Sequence, residues 1–312
     1  MNIYLSKKPK KYGGGSNSFI SLFNKWAKKS PHKIVNNPKK ADLAIIIAHF
    51  AEEHEVKALK ERGCYLIHRL DEYFDKNENP NRLIKHKKII QLNRYMDITV
   101  FQSRFVYANV SPILKPHKYK IIHNGGDPDF FSPGKKFGEY IGHVSWSVGK
   151  RKRLDLLYDF IKNHPHEKFL LVGRHQESIF NFCLPNVKMI GKVNREKISK
   201  YFRKMKMLYF PSENDPCPNT VIESILCGVP VCYNPLGGSI EIVNGPLLSE
   251  YELKVPVKAD FEINRPETIF CGLPLSKVDT MLNDLEPYKQ NCLKRNDLYF
   301  DRVFKAYLSD LT

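Results

Sequence analysis

Two acidic residues, Asp215 and Glu223, stand on either side of a proline-rich loop in the segment 210–243, which reads FPSENDPCPNTVIESILCGVPVCYNPLGGSIEIV. A strand-like run, 207–210, precedes the loop, and a helix-like run, 219–227, follows it. At such a junction in an open parallel sheet, the helix start presents backbone N–H groups beside the carboxylates. The segment therefore has the chemistry to bind a phosphorylated sugar.

A run of four cations, Lys150, Arg151, Lys152 and Arg153, stands at the predicted start of a helix over 152–163. The first turn of a helix normally prefers acids, because the helix dipole is positive there. Such a conflict with a local rule is typical of a functional site, and an anion would relieve it. The alternative is a solvated charge run.

Near the N-terminus, Gly13, Gly14 and Gly15 form a glycine loop between a predicted strand and a predicted helix. Such a loop lets the backbone approach a phosphate, although a plain flexible turn is as good an interpretation. His68 closes a predicted strand, where it could face a cleft as a catalytic residue or be a hydrogen-bonded core histidine. His49 has the same ambiguity.

Metal and disulfide chemistry have little support in the sequence. Asp127 and Asp129 spell D-x-D, but they follow HNGG in a predicted turn, so we interpret them as turn residues and predict no metal site. The 7 cysteines include no C-x-x-C pair and mostly have apolar neighbours, which favours reduced, structural thiols.

Short apolar runs alternate with amphipathic ones throughout, which predicts an α/β protein with parallel sheets covered on both faces. The predicted strands are 2–5, 32–36, 41–49, 64–70, 98–103, 119–124, 139–144, 168–173, 187–191, 207–210 and 229–234. The predicted helices are 17–29, 52–62, 82–95, 104–110, 152–163, 175–183, 194–205 and 219–227. A Gly- and Pro-rich segment, 125–138, is interpreted as a linker. We therefore predict an N-terminal domain over 1–130, a C-terminal domain over 131–285 and a helical tail over 286–312, with a return of the tail to the first domain left open.

The formal net charge is +17, and it is uneven. Residues 1–130 hold 24 Lys/Arg and 12 Asp/Glu, a balance of +12, which favours an anionic partner unless lysines simply cover solvated faces. The sequence has no run of membrane-spanning length and no signal-peptide pattern, so we expect a cytoplasmic protein, with peripheral contact at an anionic membrane left open.

Taken in order along the chain, these segments resemble the retaining glycosyltransferases of family 4, which have the GT-B fold. The similar motifs are YGGGSNSF, CYLIHRLDEY, ITVFQSRF, YKIIHNGGDPDFF, EYIGHVSW, KRKRLDLLYDF, KFLLVG, NVKMIGKVNREKISKYF and, most specifically, the 210–243 segment. The resemblance implies two Rossmann-like doubly wound domains with parallel sheets facing a central cleft, the first binding an acceptor and the second a nucleotide sugar.

The resemblance also implies an activity: transfer of a hexosyl group, with retained configuration, from a GDP- or UDP-linked sugar to a hydroxyl of a glycan, lipid-linked glycan or glycoprotein. No cofactor and no metal are expected. The implied catalytic residues are His68, Lys152 and Asp215. The implied donor-binding residues are Gly14, Gly15, Arg151, Arg153, Asn219, Thr220 and Glu223.

Two positions depart from the family pattern. Asp215 stands where the family usually has the longer Glu, and His143 stands where it has an Arg. A different class of function stays open, a non-catalytic sugar-nucleotide or polyanion-binding protein on the same scaffold. Nucleic acid is a less favoured partner, because basic and aromatic residues are not interleaved. A phosphorylase or epimerase fits less well, since no lysine has a context suited to pyridoxal phosphate.

Overall fold

The computed structural model describes residues 1–8, 15–74, 80–136, 138–244 and 271–309. The chain divides into two compact units: unit 1 is Met1–Gly125 with Phe300–Thr312, and unit 2 is Gly126–Tyr299. Each unit contains a six-stranded, all-parallel sheet with helices, as the alternating pattern predicts. No helix within the described ranges is long and apolar enough to cross a membrane.

Unit 1 has the strand order β2-β1-β3-β4-β5-β6, so the chain reverses direction across the sheet between β1 and β3. Its strands are β1 (Asn2–Leu5), β2 (Lys33–Val35), β3 (Leu43–Ile47), β4 (Tyr65–Leu70), β5 (Ile98–Phe101) and β6 (Tyr119–Ile121). Its helices are α1 (Gly15–Ala27), α2 (Glu53–Glu61), α3 (Pro80–Asn93), α4 (Arg104–Leu114) and α11 (Phe300–Leu308). Every residue of β3 is buried, as a strand covered on both faces requires.

Unit 2 has the strand order β12-β11-β10-β7-β8-β9, with its reversal between β7 and β10. Its strands are β7 (Tyr140–Ser145), β8 (Phe169–Gly173), β9 (Val187–Gly191), β10 (Met205–Phe210), β11 (Val231–Tyr233) and β12 (Gly272–Pro274). Its helices are α5 (Leu154–Asn163), α6 (Arg195–Phe202), α7 (Asn219–Leu226), α8 (Ser239–Val243), α9 (Val278–Asn283) and α10 (Glu286–Leu293). Gly142 lets β7 pack closely on β10, because a Cβ there would lie 2.0 Å from Met205 Sδ.

The unit boundaries differ from the predicted domain boundaries at residues 130 and 285. Unit 2 begins at Gly126, and Cys292 and Leu298, in the predicted tail, are both buried in its core. Residues 300–312 belong to unit 1, where Phe304 of α11 packs edge-on against Phe19 and Phe23 of α1. Apolar side chains, and not the Gly- and Pro-rich composition, thus decide where one unit ends.

The structure corrects two helix predictions and contains two elements that were not predicted. The helix predicted over 175–183 is a single 3-10 turn, His175–Glu177, followed by irregular chain. The helix predicted from residue 152 begins at Leu154, because Arg153 has φ +46° and ends a 3-10 turn over Lys150–Lys152. The unpredicted elements are β12 and α8.

The seven cysteines form no disulfide in the described part of the chain, and six of them are buried while Cys183 is exposed. This arrangement agrees with the prediction of structural thiols. The D-x-D segment also has the predicted turn, in which Asp127 Oδ1 accepts a hydrogen bond from Asp129 N at 3.1 Å.

Candidate functional site

The candidate site of unit 2 lies at the carboxyl edge of its sheet, where the strand order reverses. Loop A (146–153) follows β7, loop B (211–218) follows β10, and loop C (234–238) follows β11. Ligands of open α/β sheets bind beyond the carboxyl ends of the strands at such a reversal. The three loops therefore form the expected location for a bound ligand.

Backbone hydrogen bonds join these loops into one surface. Glu213 N of loop B donates to Arg151 O of loop A at 2.9 Å. Asn214 N donates to Leu236 O of loop C at 2.7 Å, and Gly238 N donates back to Asp215 O at 2.9 Å. Because loop B is hydrogen-bonded to both loop A and loop C, the backbone of Asp215 is fixed in position.

Lys152 and Asp215 form the central charged pair of this edge. Lys152 Nζ lies 3.1 Å from Asp215 Oδ2, and both side chains are about a quarter exposed, at 26% and 22%. The ammonium group also lies 5.8 Å from the centroid of the Phe210 ring, at the end of β10. The pair is thus positioned by loops A and B together and is reachable from solvent.

Arg153 is already engaged by two carboxylates. Its guanidinium donates to Asp155 Oδ2 at 2.7 Å and to Glu213 Oε2 at 3.2 Å, and these partners raise the pKa of Arg153. Asp155 lies in the first turn of α5 and the four cations precede that helix, so they do not occupy its first turn as predicted. Of the predicted cations, Lys152 is better placed than Arg153 to meet an incoming anion.

The start of α7 borders the same edge. Pro218 is its N-cap and supplies no side-chain hydrogen bond, and the first donor within the helix is Val221 N, to Pro218 O at 3.1 Å. The N–H groups of Asn219 and Thr220 precede that bond and lie outside the helix's own ladder. Glu223 follows one turn later with 6% of its surface exposed, an unusual burial for a carboxylate.

Two buried histidines, His143 and His175, lie close together in unit 2. His143 Nδ1 lies 2.5 Å from His175 Nε2, and both rings are buried. Burial first, and then the neighbouring His175 and Lys152, hold the pKa of His143 well below its usual value. Burial alone lowers the pKa of His175 to about 4. His143 is therefore neutral near pH 7, and the cations of loop A are the positive charges near it.

In unit 1, the structure places His68 in the middle of the core. Its Nε2 donates to Ala48 O at 2.9 Å, and its Nδ1 accepts from Asn93 Nδ2 at 2.9 Å. The ring has no exposed surface, and burial lowers its pKa to about 4. Both ring nitrogens are occupied by protein groups, which favours the core-histidine alternative; the catalytic role stays a prediction.

The glycine loop lies partly outside the described residues, including Gly14, while Gly15 is the first residue of α1. His49, just past β3, has its Nδ1 3.9 Å from Glu72 Oε1. Glu72 in turn has its Oε2 3.9 Å from His86 Nε2 of α3. The sequence alone did not single out Glu72 or His86, because the three residues are far apart in the chain and meet only at the carboxyl edge of unit 1.

The structure thus brings Arg151, Lys152, Asp215 and the start of α7 together at one edge of unit 2, while His68 and Gly15 belong to unit 1. Among the described residues, no group of three or more His, Cys, Asp or Glu side chains is arranged to hold a metal ion.

Residues 139–259 match the family model described as "Glycosyl transferases group 1". This range covers less than half of the chain and falls within unit 2, so it contains loops A, B and C. Among curated proteins, none matches the sequence.

Several solved structures share the fold over nearly the whole chain. HepE of Anabaena, crystallised with UDP, has a TM-score of 0.70 at 14% identity over 99% of both chains. Sucrose-phosphate synthase of Thermosynechococcus elongatus has a TM-score of 0.73 at 14% identity, covering 99% of this chain and 98% of its own. AviGT4, a glycosyltransferase involved in avilamycin A biosynthesis, has a TM-score of 0.64 at 12% identity, with 99% and 96% covered.

At these identities the likeness establishes the fold, two Rossmann-like α/β units of the GT-B type. Unit 2 is in addition similar in sequence to group 1 glycosyl transferases.

Proposed function

We propose that this protein is a retaining glycosyltransferase that moves a hexosyl group from a nucleotide diphosphate sugar to an acceptor hydroxyl. The observation that carries the proposal is the Lys152–Asp215 pair, 3.1 Å apart, at the strand reversal of unit 2. It lies inside the segment that matches group 1 glycosyl transferases. HepE, which has the same fold, has been crystallised with UDP-glucose.

In this proposal Lys152 and the start of α7 stabilise the leaving diphosphate. A cation and a helix N-terminus, both held in place before the reaction, stabilise developing negative charge without reorganising. In this proposal, stabilisation of the leaving diphosphate requires no metal. The leaving phosphate takes the proton of the acceptor hydroxyl, so no side-chain nucleophile is required.

Asp215 has two tasks in the proposed complex. Before the donor binds, it holds Lys152 at the edge by their charged hydrogen bond. Once the diphosphate shares the ammonium group, the carboxylate accepts hydrogen bonds from hydroxyls of the sugar. The backbone of Asp215 is fixed by loop C, because its carbonyl oxygen accepts a hydrogen bond from Gly238 N. Glu223 is proposed to accept hydrogen bonds from the ribose hydroxyls.

A thermal-stability screen tests the donor site. The ligands are UDP, GDP and their glucose, galactose, mannose, rhamnose and fucose conjugates. A ligand that binds only the folded protein raises its melting temperature. We expect one nucleotide series to stabilise the wild type and to lose most of its effect in Lys152→Ala and Glu223→Gln. Lys188→Ala, which removes an exposed lysine from β9, is the matched control and should keep the full shift.

Turnover and stereochemistry are measured with the donor that the screen selects. NMR of the product anomeric proton should show the configuration of the donor sugar, and an inverted product would overturn the retaining assignment. Donor binding with no transfer to any glycan, lipid-linked or protein acceptor would favour the non-catalytic alternative.

The acceptor is proposed to carry negative charge or to lie at an anionic membrane, because residues 1–130 have a balance of +12. Flotation with neutral and with phosphatidylserine-containing liposomes tests the membrane version. Equal and negligible binding to both would rule it out.

A further inference from the structure

Three large apolar side chains are exposed at the edge that holds the Lys152–Asp215 pair. Trp146 and Val148 of loop A are 42% and 36% exposed, and Leu236 of loop C is 45% exposed. These loops border a charged site, and exposed apolar side chains there do not contribute to solubility. Exposed apolar surface next to a polar site is typical of a ligand-binding surface.

Loop A is built to hold Trp146 in place. Ser145 Oγ donates to Ser147 O at 2.7 Å, and Gly149 N donates to Ser147 Oγ at 3.2 Å. The start of the loop is also attached to the end of β8, because Arg174 N donates to Ser145 O at 2.9 Å. An exposed indole on an ordered loop loses little further conformational freedom when a ligand packs against it.

The Trp146 ring makes no contact with another aromatic ring or a cation among the described residues, in contrast to Trp26, which packs against Phe23 and Phe304. The 42% of Trp146 that is exposed is therefore available to a ligand. Leu236 lies on loop C, and its carbonyl oxygen accepts from Asn214 N, the residue before Asp215. Loop C is thus bonded to the residue before the carboxylate, and loop A, which carries Trp146, is bonded to Glu213 through Arg151 O.

We propose that Trp146, supported by Leu236, packs against the ring of the donor sugar and so determines which nucleotide sugar is used. This inference rests on the proposed function, since it assigns the sugar subsite of the same donor site. A pyranose ring presents C–H groups on one face and hydroxyls around its rim. The indole face carries partial negative charge that attracts the C–H groups, while Asp215 accepts hydrogen bonds from the hydroxyls.

The proposal predicts a difference between the nucleotide and the nucleotide sugar. Trp146→Ala should weaken binding of the nucleotide sugar about tenfold, and leave affinity for the nucleotide diphosphate within about twofold, because only the sugar meets the ring. Trp146→Phe should restore most of the loss. Leu293→Ala is the matched control: Leu293 is 47% exposed, but it lies beside Gly228, which precedes β11 at the opposite edge of the sheet.

Tryptophan fluorescence supplies a readout independent of turnover. The chain has 2 tryptophans, and Trp26 is buried, so Trp26→Phe leaves Trp146 as the sole reporter. The probes are UDP, GDP and the same sugar conjugates. Emission should shift to shorter wavelength with the bound nucleotide sugar and much less with the matching nucleotide alone.

The outcomes separate the two proposals. The role of Trp146 would be overturned, and the donor site retained, by either of two results. One is an equal loss of affinity for nucleotide and nucleotide sugar in Trp146→Ala. The other is an unchanged Trp146 emission when a nucleotide sugar demonstrably binds. Absence of binding by every nucleotide and conjugate to the wild type would overturn both.

Discussion

Acid should destabilise this protein through three buried histidines that are neutral in the folded state. Burial lowers the pKa values of His68 and His175 to about 4, and that of His143 well below its usual value. In the unfolded chain a histidine titrates near 6.5. Above that pH both states are neutral and the histidines contribute nothing. As the pH falls from 6.5 towards 4, these histidines bind protons in the unfolded state but not in the folded state. The free energy of unfolding therefore decreases over that pH range.

The size of the effect follows from the two pKa values. At pH 5.5 an unfolded-state pKa of about 6.5 and a folded-state pKa of about 4 give a loss of about 1.4 kcal/mol per histidine. His68 belongs to unit 1 and His175 to unit 2, so each unit should lose at least this amount. For units of this size that corresponds to a fall in melting temperature of about 3 to 6 °C.

Thermal and urea unfolding at pH 7.5, 6.5, 5.5 and 4.5 would measure the loss. In His68→Gln the side-chain amide can donate to Ala48 O but does not titrate. This variant should therefore lose part of the pH dependence of stability. His54→Gln, on the exposed face of α2, is the control and should keep all of it. Equal stability of the wild type at pH 7.5 and 5.5 would refute the reasoning, and so would an unchanged pH slope in both His68→Gln and His175→Gln.

Three further predictions concern the candidate site and the thiols. Asp215→Asn should weaken nucleotide-sugar binding about 10- to 100-fold in calorimetry, since a charged hydrogen bond contributes about 1.5–3 kcal/mol, yet change stability by less than about 1 kcal/mol because the pair is partly exposed. Gly237→Ala should cost about 1–3 kcal/mol and also weaken donor binding, because Gly237 has φ +134° and its new Cβ would lie 3.0 Å from Asp215 N. Gly63→Ala, at φ +76° in open space, should cost less and leave donor binding unchanged. Cys183 should react with a thiol reagent in the folded protein, with the buried cysteines reacting only after unfolding; more than one fast thiol would contradict the described burial.

Much of the fold could be read from the sequence because its strands are unusually apolar. The run that forms β3 is buried at every position, so its pattern differs sharply from the amphipathic helices around it. The prediction failed where local composition was ambiguous. Residues 175–183 have helix-forming residues, but His175 and Phe182 turn inward to the core, and this tertiary packing leaves only one turn of helix.

The candidate site was predicted in part for a related reason. Lys152, Asp215 and the start of α7 each follow a strand, and the carboxyl ends of neighbouring parallel strands meet at one edge. The pairing within the site could not be predicted. The αL conformation of Arg153 turns its guanidinium to Asp155 and Glu213, which leaves Asp215 for Lys152.

The sequence by itself determined the two α/β units, the strand ends that carry the chemistry and the excess of positive charge in the first half, because these depend on periodicity, order and composition. Only the tertiary structure decided that His68 is enclosed by Ala48 and Asn93, that α10 belongs to unit 2 and α11 to unit 1, and that Trp146 remains exposed. Burial and side-chain pairing depend on residues far apart in the chain, and the packing of the whole unit brings those residues together.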